Sequence, residues 1–123
     1  MKGRLLPKAA IPLLHFSYQA ADSEFLLPAY EKLADAGGIT DPNSLDALDP
    51  TERARVRRYV QARHADYDNL YYQYQLGYLD EQFYQSRVVN SIRRMTPIWT
   101  EFGMLDDGTP DFFAEIERIN SEQ

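Results

Sequence analysis

Cysteine is absent from this 123-residue chain. That single absence excludes disulfide stapling, thiolate catalysis and sulfur-ligated zinc, and it favours a cytoplasmic or otherwise unstapled protein. Histidine occurs only as His15 and His64, a thin basis for a zinc or haem centre. No run approaches the roughly 18 to 20 apolar residues that crossing a bilayer requires. No segment of strand length alternates polar and apolar residues, so there is little from which to build a sheet. Positive charge is in deficit: 13 Lys and Arg face 19 Asp and Glu, for a net charge of −6. That balance works against nucleic acid or anionic lipid as a general partner, because phosphate binding depends on concentrated positive charge.

Phosphate loops are missing as well. Gly37-Gly38 has no Lys-Ser/Thr after it, and Gly103 and Gly108 do not form the dinucleotide fingerprint. The acidic pairs Asp80-Glu81 and Asp106-Asp107 stand where capping and turn formation explain them, and Ser17, Ser23, Ser44, Ser86 and Ser91 lack a nucleophile-elbow context. No catalytic residue, cofactor site or metal site is assigned from the sequence, and an enzyme is not the expected class.

Helix punctuation is plentiful. Asp41-Pro42, Asp49-Pro50 and Thr109-Pro110 each set a good N-cap residue before a proline, which is tolerated at the first helical position because its missing N–H had no partner there. Asp49-Pro50-Thr51-Glu52 adds capping-box spacing. The pattern predicts a helix over Asp22 to Ala36 with an apolar face of Phe25, Leu26, Ala29, Tyr30, Leu33 and Ala36, stopped by Gly37-Gly38. Pro28 requires that helix to start at the proline or to be preceded by an irregular turn. A short helix follows at Pro42 to Leu48. A long central helix runs from Pro50 to Leu76, with Ala54, Val56, Tyr59, Val60, Tyr67, Leu70, Tyr71 and Tyr74 on its apolar face. Asp80 caps a helix carrying Phe83, Tyr84, Val88, Ser91, Ile92 and Met95, which Pro97 is expected to interrupt, with Thr96-Pro97 opening a short helix bearing Ile98, Trp99 and Phe102. The last helix, Pro110 to Ile119, buries Phe112, Phe113, Ile116 and Ile119.

The expected fold is therefore all-α, a compact array of about four main helices plus short helical segments. Residues 1–20 form an N-terminal arm or packed segment, 21–120 a single helical domain, and 121–123 a frayed end. The first segment carries Lys2, Arg4 and Lys8 ahead of an apolar patch, Ala9 to Leu14, that Pro12 interrupts. It imitates a signal peptide without an evident cleavage site.

Two features point outward. Five arginines, at 53, 55, 57, 58 and 63, fall in a stretch without an acid, followed by His64 to Ser86 with acids and no Lys or Arg. Spread around the helix, they read first as a solvated face. Nine tyrosines include Tyr67, Tyr71, Tyr74 and Tyr78 on one predicted helical face, most simply a core face, with Tyr72 directed away. His64 and Asp68, four residues apart, fit a surface histidine paired with a carboxylate.

The segment Asp68-Asn69-Leu70-Tyr71-Tyr72-Gln73-Tyr74-Gln75-Leu76-Gly77-Tyr78-Leu79-Asp80-Glu81-Gln82-Phe83 resembles an uncharacterised group of small bacterial helical proteins, and the likeness extends over roughly Pro42 to Trp99. The resemblance implies an all-helical fold and no assigned activity. Members often carry an N-terminal transmembrane helix, and no such span is expected here.

The expected function is a helical protein-interaction module, self-associating or bound to a protein partner. Arg53, Arg57, Arg58, Tyr72 and Tyr78 form its candidate surface, since Arg and Tyr are enriched in interfaces. A membrane-associated accessory protein, attached through the N-terminal segment, and a small-ligand-binding protein are the alternatives.

Overall fold

The computed structural model describes residues 28–122. Residues 1–20, His15, and Phe25 and Leu26 of the first predicted helix lie outside the described residues. Those described form an all-α array: α1 (28–36), a 3-10 turn Pro42–Ala47, α2 Pro50–Gln75, α3 Glu81–Phe83, a π-helical turn Tyr84–Val88, α4 Val89–Glu101 and α5 Pro110–Ser121. No strand occurs among the described residues. α3, the π turn and α4 run on as one continuous rod, so four main helices make the array.

Local chemistry places the helix starts. Asp41 accepts from the Asn43 amide, Asp49 from Glu52 and Thr109 from Phe112, each directly before its proline. At α2 the capping box closes, with Glu52 Oε1 accepting from the Asp49 N–H at 3.1 Å. The same Oε1 accepts from Lys32 Nζ at 2.7 Å, which ties α1 to the head of α2. Gly77 and Gly103, with φ of 84° and 68°, end α2 and α4. In that left-handed conformation the amides of Tyr78 and Met104 return to the carbonyls of Gln73 and Trp99.

Burial explains where punctuation was overruled. Pro97 does not interrupt the third helix: α4 continues through it to Glu101. A mid-helix proline costs about 3 kcal/mol, but stopping there would leave Ile98 and Trp99, both fully buried, without the backbone that points them inward. Burying such side chains contributes about 1.5–3 kcal/mol each, and the packing wins. The π turn, in which the Val89 N–H reaches the Tyr84 carbonyl, turns adjacent Val88 and Val89 both into the core. Other expectations shift at the margins. Ala36, Ala54 and Phe83 are exposed and Phe113 is half-buried, and α5 extends to Ser121.

The core is centred on Trp99. His64, Tyr67 and Phe112 surround it at ring-centroid distances of 4.7, 5.9 and 6.3 Å, all edge-to-face. A second aromatic layer has Tyr74 stacked on Tyr84 at 3.8 Å, with Tyr71 beside both. Among the described residues, Trp99 Nε1 has no hydrogen-bond partner.

Candidate interaction surface

Chemistry is scarce in the interior. Among the described residues, no group of three or more His, Cys, Asp or Glu side chains is placed to hold a metal ion. His64 is not a surface residue paired with Asp68. It is 2% exposed, wedged against Trp99 and Phe112, with Nε2 3.4 Å from the Leu105 carbonyl oxygen. Burial holds its pKa below the ordinary 6.5, against the opposing pull of the Leu105 carbonyl and of Asp107, Asp68 and Asp106. Asp68 serves α5 instead: Oδ2 accepts from the Thr109 N–H at 2.9 Å and Oδ1 from its hydroxyl at 3.0 Å.

Among the described residues, the one buried carboxylate is that of Glu115. Tyr84 donates its hydroxyl to Oε2 at 2.7 Å, and Arg118 Nε and Nη2 donate to Oε1 and Oε2 at 2.7 Å each. Burial, and then that hydrogen bond, push the Tyr84 phenol far above its usual range. Arg118 Nη1 also donates to Glu122 Oε2 at 2.9 Å, and the cluster is a brace between the π turn and α5.

The sequence-predicted surface residues separate into two kinds. Arg53 is half-buried, its guanidinium 5.4 Å from the Phe102 ring centre and 3.6 Å from Glu101. It braces α2 against the end of α4 and is withdrawn from the candidate surface. Arg63 likewise lies over the Tyr67 ring and donates to its hydroxyl at 2.7 Å. Arg57 and Arg58 face outward. So do Tyr72, 57% exposed, and Tyr78, 74% exposed. Tyr78 stands beyond the end of α2 and does not continue the Tyr67, Tyr71, Tyr74 face, which packs inward.

The structure adds two residues to the exposed set. Leu76 is 49% and Phe83 43% exposed, so four large exposed side chains fall within the stretch where α2 turns through Gly77 into α3. Periodicity assigned Phe83 to the core; the wide π turn that follows it changes the facing of the rod. Beside this corner a groove of about 680 Å³ runs along α2 and the 107–111 loop, with Asp68, Tyr72, Asp107 and Asp111 on its walls. A second groove, about 420 Å³, lies between α1, α2 and α4 and is lined by Tyr30, Tyr59, Arg63 and Arg94. No helix among the described residues is long and apolar enough to cross a membrane.

Comparison with protein-family models, with curated proteins and with solved structures finds no match to this chain.

Proposed function

We propose that this protein is an α-helical protein-interaction module that docks a protein partner at the corner between α2 and α3. The carrying observation is the exposure of Tyr72, Leu76, Tyr78 and Phe83 within twelve residues of chain. Isolated exposed apolar side chains are ordinary, but a cluster of large ones at a rigid corner is a usual sign of a binding surface. Among the described residues, no group of three or more His, Cys, Asp or Glu side chains suited to a metal ion competes with this reading.

The test compares wild type with a Leu76→Ser/Tyr78→Ser variant, both immobilised and challenged with extract from the source cells. Both positions are exposed, so the variant keeps the fold. Proteins retained by wild type and released by the variant support the reading. Identical retention by the two would remove its basis.

A further inference from the structure

We infer that the partner is a second copy of this chain, paired through the outer face of α2 about a two-fold axis at Ala65. This rests on the interaction-module reading above and names its occupant.

The outer face of α2 is self-complementary. Counting outward from Ala65 by 4, 3 and 4 residues gives Asn69, Tyr72 and Leu76 in one direction and Gln61, Arg58 and Ala54 in the other. At 100° per residue all six stay within about 40° of Ala65, and all seven positions are exposed. An antiparallel two-fold therefore sets Leu76 against Ala54 of the other copy, Tyr72 against Arg58, and Asn69 against Gln61. A large apolar side chain meets a small one, an aromatic face meets a guanidinium, and the Asn69 amide meets Gln61, whose Nε2 donates to Asp107 Oδ2 of its own chain at 3.2 Å. At the axis, two alanines permit the helices to approach closely.

Charge decides the direction. The N-terminal half of α2 turns Arg57 and Arg58 outward, while the C-terminal half carries Asp66 and the 107–111 loop brings Asp107 and Asp111 alongside it. Antiparallel pairing lays the basic half of each copy on the acidic half of the other, whereas parallel pairing would set arginine against arginine. The seam from Ala54 to Leu76 is roughly 33 Å long. One helix pair lies at the small end of specific interfaces, so the dimer should form in a concentration-dependent manner.

The absence of cysteine makes a direct test available. Ala65→Cys should oxidise to a disulfide-linked dimer much faster than Tyr78→Cys, which is highly exposed but lies off the axis. Sedimentation of wild type should show a monomer–dimer equilibrium that Arg58→Glu weakens roughly tenfold or more. A dimer in which Tyr78→Cys links as fast as Ala65→Cys overturns the Ala65 axis while leaving the corner as an interaction site. Wild type that stays monomeric at every concentration overturns self-pairing. The retention comparison then decides the interaction reading separately.

Discussion

Asp68 on α2 caps a helix that begins forty-one residues later: its two carboxylate oxygens take the N–H and the hydroxyl of Thr109, while Thr109 Oγ1 accepts from the Phe112 amide at 3.2 Å. One side chain thus fixes the start of α5 against α2, and its negative charge faces the positive end of the α5 dipole. Replacing Asp68 by Ala should cost about 1–3 kcal/mol in urea unfolding, with Asn intermediate because it keeps the acceptor and loses the charge. An Ala variant as stable as wild type would show the relay to be incidental.

Gly108 sits under the same carboxylate. A Cβ built there meets Asp68 Oδ2 in hard overlap and lies 3.3 Å from His64 Cε1. Asp68 cannot retreat without releasing Thr109, so Gly108→Ala should destabilise by about 1–3 kcal/mol. Combined with Asp68→Ala, the glycine substitution should cost measurably less, since its obstacle is gone. A double-mutant cycle reads that coupling, and simple additivity would contradict it.

His64 gives stability a pH dependence of known sign. Burial lowers its folded pKa beneath the ordinary 6.5, so below that value the unfolded chain binds a proton that the folded protein resists. Its contribution is complete above 6.5 and declines as pH falls from there toward the folded pKa. Thermal unfolding measured across this window should show a drop for wild type that is diminished in His64→Gln. Parallel curves for the two proteins would mean that other groups carry the acid response.

Tyr84→Phe removes the hydroxyl that donates to buried Glu115 and leaves Arg118 as its remaining cap. A hydrogen bond to a charged group contributes about 1.5–3 kcal/mol, and chemical denaturation should register a loss of that order. The raised phenol pKa adds an optical check. In alkaline titration, Tyr84 should ionise after Tyr71 and Tyr74, whose phenols are also raised, and the Phe variant should lack that last step.

Whatever depends on near neighbours was legible in the sequence. The three cap-proline pairs mark the starts of the Pro42 turn, α2 and α5, because capping is a contact between residues two or three apart. Gly37-Gly38, Gly77 and Gly103 mark stops for the same reason. Periodicity placed Val56, Val60, Tyr67, Ile92, Ile116 and Ile119 inside. It failed at Phe83, Ala54 and Pro97, where a side chain's facing depends on what the rest of the fold brings against it.

The outward-facing residues divide along the same line. Arg57, Arg58 and Tyr72 were identifiable as surface candidates by type and spacing, Tyr78 by type alone, since its spacing set it on the Tyr67, Tyr71, Tyr74 face that packs inward. Arg53 was not distinguishable from them, because Phe102 and Glu101 reach it only when α4 packs on α2.

The sequence by itself determined an all-α chain, its helix starts and stops, and the segregation of arginine from acid along α2. These follow from hydrogen bonds and periodicities that span a turn or two. Tertiary structure alone decided that His64 is core, that Asp68 belongs to Thr109, that Glu115 is braced by Tyr84, and that Phe83 faces out. Each of these depends on side chains 31 to 41 residues apart or on the facing imposed by the π turn, and only the packing of the helices sets such relations.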